Sequence, residues 1–460
     1  FKMTFLNHVT VLSGVGVGGG SLTYANTLPI PKREFFNSGS WSYLNNWEEV
    51  LKPFYDIAYK MLGAAQNPKL FAADLAVKGI AKDMGKEAHF EPTKVAVYFG
   101  EAGKTINDPY FEGKGPNRTG CIHCGACMTG CRYNSKNTLD KNYLYLAQKL
   151  GAKILAEKEV YNVSVINSKN GNDGYKVEFK SSIGKNQRGS LTTKGLIFSG
   201  GVVGTVPLLL KLKAKSLPNL SEKVGCNVRT NNESLLVVTS TEKKSKDYSK
   251  GLAIGSILHT DKNSHLEPVR YGEGSGFFRT LTVPIIHNKF MVLRLVGILG
   301  IAFKYPLKLL KTVFAKDYSK RTTVLLFMQT LDSTLRIKLG KITKMKTQTE
   351  LGEKPNAFIP EALTLGKKFG KKVNGIPYAN ITDVFLGTST TAHILGGAVM
   401  GEDISKGVID KNNQVFGYKN MFVCDGAMIS ANPGVNPSLS ITAISEHAMS
   451  KIPTKTNNQI

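Results

Sequence analysis

Acidic side chains and long apolar runs are both scarce in this sequence. Its 460 residues include 34 Asp and Glu against 60 Lys and Arg, so the net charge at pH 7 is +26. A positive field of this size favours anionic partners such as phospholipid surfaces, although a merely lysine-rich composition is the alternative. The longest apolar stretch, residues 295–303, is too short for a membrane-spanning helix, which needs about 20 residues. We therefore expect no such helix, and peripheral contact with an anionic membrane stays open.

Signatures of targeting and of nucleic-acid binding are also lacking. No signal peptide is visible, so the compartment is undetermined. No zinc-finger His pair or RNA-binding aromatic signature occurs, so we expect no nucleic-acid partner. The chain opens at Phe1 rather than at a Met, and residues 1–12 already have the character of a domain interior. We interpret this start as an N-terminal truncation.

Cysteines are few, and four of the six lie within eleven residues of one another. This is not the dispersed pattern of a disulfide-stapled secreted fold. The spacing C-x2-C-x2-C-x3-C is that of a bacterial four-iron loop, but Arg132 stands where such loops have Pro. Two interpretations stay open: free structural thiols or disulfides, which we favour, and iron–sulfur ligation by Cys121, Cys124, Cys127 and Cys131.

Glycine-rich turns follow short apolar segments at three places. Residues 9–12 precede the first turn, residues 195–198 the second and residues 421–423 the third, and a last helix is predicted from residue 438. Repeated strand, glycine turn and helix are typical of a parallel sheet that binds a dinucleotide at its strand ends. The sequence therefore predicts an α/β fold with a doubly wound, Rossmann-like sheet assembled from discontinuous segments.

The first turn, Gly-Val-Gly-Val-Gly-Gly-Gly-Ser over residues 14–21, contains the pattern G-x-G-x-x-G. Glycine lets a backbone approach a pyrophosphate closely, and a following helix N-terminus attracts the anion. The ribose-binding acid expected about 20 residues later has only Glu34 as a candidate. Taken alone, this loop indicates a structural glycine turn at least as strongly as a dinucleotide site.

The C-terminal quarter contains four short motifs in succession. They are His-Ile-Leu-Gly-Gly from His393, Gly-Val-Ile-Asp from Gly407, Val-Cys-Asp-Gly from Val423 and Gly-Val-Asn-Pro ending at Pro437. Together they resemble the closing blocks of the glucose–methanol–choline (GMC) FAD-dependent oxidoreductases. Residues 14–22 resemble the glycine block that lies against the flavin in that family.

The cholesterol-oxidase-like branch of this family is favoured by two further segments. They are Gly-Val-Gly-Gly-Gly-Ser-Leu at residues 16–22 and His-Leu-Glu-Pro-Val-Arg-Tyr at residues 265–271, and the pairing of His393 with Asn436 agrees. The sequence departs from the family in lacking its first, ADP-binding glycine block. It also has Thr-Tyr-Ala-Asn at residues 23–26, where well-known sterol oxidases have Asn-Gly-Gly.

The resemblance implies a reaction, a cofactor and a set of site residues. The reaction is the oxidation of an alcohol by hydride transfer to FAD, with His393 as base or hydroxyl partner and Asn436 as the group that positions the substrate. Histidine can exchange a proton near neutral pH, and a helix opening at Pro437 would favour negative charge at its N-terminus. The implied cofactor-binding residues are Gly14, Gly16, Gly18, Gly19, Gly20, Ser21, Val160, Gly200, Asp425, Gly426 and Pro437.

Glu267 is a third candidate catalytic residue. By its order along the chain it matches the carboxylate with which sterol oxidases shift a double bond after oxidation, and a buried carboxyl with a raised pKa could shuttle that proton. The alternative is that Glu267 only forms an ion pair with Arg270 on a sheet. Both interpretations stay open on the sequence.

Residues 289–316 are apolar and basic, with Lys304, Lys308 and Lys311 on one helical face. This pattern suits one amphipathic helix, either at a lipid interface or as a cap over the substrate pocket. Either interpretation favours a sterol or another bulky, lipid-like alcohol as substrate. Oxygen and an electron carrier are equally compatible as the final acceptor. A dehydrogenase on a non-sterol alcohol and an iron–sulfur electron-transfer protein are the alternative functions.

The predicted organisation intersperses cofactor-binding and substrate-side segments. An α+β substrate domain with an antiparallel sheet is predicted within it, and residues 455–460 are predicted to be a disordered tail. The segments are 1–34 (FAD-binding, glycine block), 35–120 (helical substrate-side cap), 121–239 (FAD-binding), 240–375 (substrate-binding) and 376–460 (FAD-binding, with the catalytic His and Asn).

Overall fold

The structure is a computed structural model, and it describes most of the chain. The ranges are 2–184, 187–242, 246–286, 288, 290–340, 345–352 and 355–454. The tail predicted at residues 455–460 lies outside the described residues. No helix within these ranges is long and apolar enough to cross a membrane.

The helices and strands are numbered in chain order. The helices are α1 (Arg33–Phe36), α2 (Trp47–Met61), α3 (Ala72–Asp83), α4 (Tyr143–Lys149), α5 (Val202–Lys213), α6 (Met291–Lys304), α7 (Pro306–Val313), α8 (Tyr318–Arg321), α9 (Pro360–Lys372), α10 (Ile381–Leu386) and α11 (Ser438–Met449). The strands are β1 (Lys2–Phe5), β2 (Val9–Ser13), β3 (Ala65–Gln66), β4 (Phe90–Pro92), β5 (Lys94–Val95), β6 (Thr105–Ile106), β7 (Arg118–Thr119), β8 (Lys158–Val165), β9 (Tyr175–Ser181), β10 (Arg188–Thr193), β11 (Leu196–Phe198), β12 (Val228–Arg229), β13 (Ser234–Ser240), β14 (Ser256–His259), β15 (Ser264–Val269), β16 (Thr282–Pro284), β17 (Thr322–Gln329), β18 (Thr334–Leu339), β19 (Met345–Leu351), β20 (Gly375–Asn380), β21 (Ser389–Thr391) and β22 (Met421–Val423).

Two parallel strand pairs form the α/β part of the fold. Strand β2 pairs with β21, and β11 pairs with β22. The glycine turns predicted after residues 12, 198 and 423 follow β2, β11 and β22 respectively. Because the carboxyl ends of parallel strands share one edge, the loops after β2 and β21 emerge side by side. The α/β prediction is confirmed.

A seven-stranded sheet in the order β16-β20-β13-β17-β15-β14-β4 carries the second half of the fold, and each of its ladders is antiparallel. One face packs on α3 and α9 through apolar side chains such as Leu266, Phe327 and Phe369. The opposite face carries a smaller apolar cluster that includes Val269, Leu326 and Met328. With both faces covered, the central strands are almost wholly buried, and β13 and β17 are largely apolar in sequence.

The boundaries of the five segments stay a prediction. The seven-stranded sheet combines strands from several of these segments. Strand β4 comes from the segment predicted as a helical cap, β13 starts at Ser234, and β20 ends at Asn380. The main hydrophobic core lies around α2, α5 and α11, with the indoles of Trp41 and Trp47 stacked 4.7 Å apart. The substrate-side sheet has its own core.

The predicted single amphipathic helix over residues 289–316 is two helices. Helix α6 ends at Lys304 and α7 begins at Pro306. Proline has no N–H to donate to the preceding turn, but it fits the first position of a new helix, so the break follows from Pro306.

Candidate active site

His393 stands two residues beyond β21, at the edge where the glycine loop leaves β2. The register pairs Val11 of β2 with Thr391 of β21. The parallel pairing therefore places the loop of residues 14–20 beside the segment that carries His393. Two predicted parts of the site, far apart in sequence, meet in this way.

Glu233 holds the backbone and the ring of His393. Its Oε2 lies 3.2 Å from His393 Nδ1, and its Oε1 accepts hydrogen bonds from the Thr391 hydroxyl and from the N–H groups of Ala392 (3.1 Å) and His393 (3.3 Å). Burial of the ring disfavours its charged form, but the carboxylate of Glu233, with a smaller contribution from Glu267 when it is ionised, outweighs this and raises the pKa of His393. Because Nδ1 faces Glu233, Nε2 is the ring nitrogen that could exchange a proton with a bound alcohol.

Asn436 and Glu267 form a second buried contact in the site. Asn436 Nδ2 donates to Glu267 Oε2 at 3.3 Å, and Glu267 is fully buried. Burial raises the pKa of Glu267 to about 8, so its carboxyl is mostly protonated at neutral pH. The charge of His393 also acts on Glu267. The three candidate catalytic residues are thus brought together.

His265 is a neighbour of Glu267 on β15. Its Nε2 lies 3.7 Å from Glu267 Oε1. Burial lowers the pKa of His265 to about 3, so the ring is neutral wherever the enzyme would work. The contact is therefore between two uncharged groups near neutral pH rather than an ion pair.

The turn that precedes α11 fixes Asn436. Gly434 has φ +61°, and a Cβ there would collide with Thr330. The amide of Asn231 donates to the carbonyl of Val435 at 2.9 Å. Helix α11 begins directly after Pro437. The tight turn at Gly434 and the start of α11 therefore fix the position of Asn436.

The glycine loop offers an open backbone surface. Gly16, Gly18 and Gly19 have positive φ, and a Cβ on Gly19 or Gly20 would meet nothing within 4 Å. Ser21 serves the loop itself, because its hydroxyl donates to Gly18 O at 2.6 Å and accepts from Leu139 N at 2.9 Å. Gly14 opens the loop directly after β2.

The other predicted cofactor residues fall in two places. The Asp425 carboxylate accepts from Gly201 N (2.9 Å), Thr205 Oγ1 (2.5 Å) and Ala427 N (2.7 Å), and so ties the end of β22 to the turn at Gly200 and the start of α5. Gly426 O accepts from Gly396 N at 2.9 Å, three residues after His393. Val160 lies on β8 and packs against the main core, in a separate antiparallel sheet.

Sequence reasoning missed Glu233 as the partner of His393. Glu233 immediately precedes the apolar strand β13. An acidic residue next to a buried strand is the one local feature that could have indicated a functional role. The suggested ion pair between Glu267 and Arg270 is wrong. Arg270 binds the Asp74 carboxylate in a bidentate contact of 2.9 and 2.7 Å. Side chains three positions apart on an extended chain point to opposite faces, which separates Glu267 from Arg270.

All four clustered cysteines line one small pocket, together with Lys136 and Gly251. Every cysteine of the chain is a free thiol. Within the described ranges, no set of three or more His, Cys, Asp or Glu side chains is arranged to hold a metal ion. The cluster therefore lends no support to the iron–sulfur alternative.

The residues at this edge fit a bound FAD and an alcohol. The side-chain oxygens Asn436 Oδ1 and Glu267 Oε1 are buried and, among the described residues, accept no hydrogen bond. Buried polar atoms are nearly always satisfied, so these two unpaired acceptors suit a polar ligand. The loop backbone would lie against the cofactor, and His393 and Asn436 would face the substrate hydroxyl.

Comparisons with known proteins identify the family of the chain. The profiles described as GMC oxidoreductase match residues 3–231 and 346–445. The chain is 40% identical over 471 residues to a cholesterol oxidase of Acinetobacter baumannii, covering 99% of this chain and 84% of that protein. It is also 40% identical over 466 residues to a cholesterol oxidase of Mycobacterium tuberculosis, covering 98% and 80% respectively.

A solved structure shows the same fold at low identity. The crystal structure of pyridoxine 4-oxidase from Mesorbium loti aligns with a TM-score of 0.59 at 12% identity, covering 96% of this chain and 85% of that one. Fold, sequence profiles and long-range identity agree. The chain belongs to the GMC oxidoreductase family, which implies FAD as cofactor, and it is an oxidoreductase that acts on CH–OH groups.

Proposed function

We propose that the protein oxidises a sterol or another bulky, lipid-like alcohol to the corresponding carbonyl compound. The observation that supports this most is the meeting of His393, backed by Glu233, with the buried Asn436–Glu267 contact beside the glycine loop. The identity to two cholesterol oxidases favours a sterol within this class. Oxygen or an electron carrier would take up the electrons.

Apolar side chains surround Glu267 on its face of the sheet. Leu326 lies directly opposite Glu267 on β17, and Met328 lies opposite His265. Both belong to an apolar cluster with Ile254 and Val269. An apolar wall of this kind suits a hydrocarbon skeleton better than a sugar, whose hydroxyl groups would find no partners there.

The chain's own residues would handle the proton of the substrate hydroxyl. FAD, when bound, supplies the two-electron acceptor for the hydride that leaves the carbinol carbon. His393 Nε2 would accept the hydroxyl proton as the C=O bond forms, and Glu233 would stabilise the resulting imidazolium through Nδ1. Asn436 would orient the hydroxyl without competing for its proton.

Replacement of Glu233 by Gln should shift the pH dependence of alcohol oxidation. The reaction needs His393 without its extra proton, so its rate rises as pH increases through the pKa of His393. Glu233 raises that pKa, and removing its charge should therefore move the rising limb to lower pH. Stopped-flow flavin reduction across a pH series measures this. An unshifted limb in a folded variant would mean that Glu233 does not act through His393.

Glu267→Gln should separate two activities on a sterol that carries a movable double bond. Oxidation should change by a few-fold at most, while the shift of the double bond should slow by about a hundredfold or more, the usual scale of a general acid–base group. The ultraviolet absorbance of the conjugated ketone distinguishes the two products. Formation of the conjugated product at the normal rate would remove Glu267 from this role.

The substrate class is tested by a panel of alcohols under anaerobic conditions, with bleaching of the flavin as the readout. A sterol, a long-chain primary alcohol and a short polar alcohol should differ in kcat/KM, with the sterol highest. A preference for the short polar alcohol would contradict a lipid-like substrate. Admission of air afterwards separates an oxidase from a dehydrogenase, because only an oxidase reoxidises rapidly without an added carrier.

A further inference from the structure

Helices α6 and α7, with the flanking Phe290 and Phe314, present an unusually apolar outer surface. We refer to it as the helix-pair surface. Phe303 is 86% exposed, Phe314 is 73% exposed and Leu307 is 70% exposed. On α6 the exposed apolar side chains recur at helical spacing and form one stripe. They are Val292, Val296, Leu299 and Phe303.

The helix-pair surface is anchored from behind, so its exposure does not come from a detached segment. Ile298 packs on the inner side against the cluster that contains Val384 and Phe358. Arg294 Nη1 donates to the carbonyl of Val384 at 2.6 Å, and Arg279 Nη1 donates to the carbonyl of Val313 at 3.1 Å. The inner face of the pair is therefore used for folding and the outer stripe is not.

Positive charge flanks the apolar stripe without any opposing acid. Residues 274–316 contain no Asp or Glu, and they contain seven Lys and Arg. Lys304 ends α6, and Lys308 and Lys311 lie one turn apart on α7. A helix with an apolar face and a lysine-rich face has the features of one that lies in the plane of a membrane interface.

We propose that the helix-pair surface docks the protein onto an anionic phospholipid bilayer. The apolar stripe would enter the boundary between headgroups and acyl chains, while the lysines contact lipid phosphates. A second copy of this chain is a poorer occupant, because it would bring the lysines of one surface against those of the other. The short helices lie along the surface rather than across the bilayer.

The position of this surface connects it with the proposed reaction. Helix α6 packs against α10, and α10 leads directly into β21 and His393. Docking would thus bring the substrate side of the protein close to the membrane, where a lipid-like alcohol is dissolved. This link to the substrate rests on the proposed function, whereas membrane binding itself is measured without any turnover.

The test is flotation of the flavin-loaded protein with two kinds of vesicle. One is phosphatidylcholine alone, and the other is a mixture of phosphatidylcholine and phosphatidylserine. We expect binding to the anionic vesicles, weak binding to the neutral ones, and a decrease with added salt. The double variant Leu299→Ser, Phe303→Ser and the double variant Lys304→Gln, Lys311→Gln should each bind anionic vesicles about tenfold or more weakly.

Matched control variants lie outside the helix pair, directly after α4. Leu150 is 90% exposed and Lys153 is also exposed, so Leu150→Ser and Lys153→Gln should bind like the wild type. Phe303→Trp adds an insertion probe, because Trp41 and Trp47 are buried. Its fluorescence should shift to the blue with anionic vesicles.

Three results would overturn the docking proposal. The first is equal binding of both vesicle types, and the second is unchanged binding of both double variants. The third is a wild-type protein that binds no vesicles and forms a dimer, where the double variant Leu299→Ser, Phe303→Ser is a monomer. Oxidation of an alcohol in detergent micelles should be unchanged in all of these variants. A variant that loses vesicle binding but keeps normal turnover in micelles therefore supports docking without testing the reaction. A wild-type protein that shows no turnover contradicts the proposed function without testing docking.

Discussion

His393→Ala should slow the reduction of the bound flavin by alcohol by about a hundredfold or more, which is the scale of general acid–base catalysis. His393 lies beside the glycine loop, and Glu233 engages its Nδ1, so its Nε2 is the proposed acceptor of the hydroxyl proton. Stopped-flow spectroscopy without oxygen measures this step directly. His89→Ala, on an exposed histidine, is the matched control and should be indistinguishable from wild type.

The same experiment can contradict the assignment. Near-native flavin reduction in His393→Ala, with flavin still bound in normal amount, would remove His393 from the reacting centre. Loss of flavin from the variant would instead show a structural role for the segment after β21. The flavin content of the purified variant distinguishes these outcomes.

Arg270→Met should lower the free energy of unfolding by about 3–5 kcal/mol, because it leaves a buried carboxylate without its counter-charge. Arg270 and Asp74 are both fully buried, and their bidentate contact joins α3 to the seven-stranded sheet. Denaturant unfolding of the purified protein measures the loss. Arg33→Met removes an exposed ion pair with Glu48 and should change the stability by less than about 1 kcal/mol.

A second variant separates the charge from the packing. Replacement of both partners, as in Asp74→Leu combined with Arg270→Met, should recover much of the stability, because no uncompensated charge remains. A single Arg270→Met variant as stable as wild type would show that Asp74 finds another partner or water. That result would contradict the description of this contact as a fixed join between α3 and the sheet.

The sequence alone could predict the parts of the site that lie in short motifs. His393, Asn436 and the turn at Asp425 fall within one C-terminal quarter, and the strands before the glycine turns are short apolar runs. Local spacing carries such information, because a turn and its flanking strand are adjacent in the chain. The α/β fold was predictable for the same reason.

Contacts between distant segments could not be predicted in this way. Glu233 and His393 are 160 residues apart, and they meet only because of the strand pairings around β13 and β21. Arg270 finds Asp74 across 196 residues. By contrast, Pro306 is a local signal for the break between α6 and α7, and the prediction of one helix over residues 289–316 overlooked it.

The most direct test of flavin-dependent alcohol oxidation is the visible spectrum of the purified holoprotein before and after a sterol is added without oxygen. We predict the two absorption bands of an oxidised flavin and their bleaching in proportion to the carbonyl product formed. Bands that persist with every alcohol tested, or a broad brown absorbance without flavin, would contradict it.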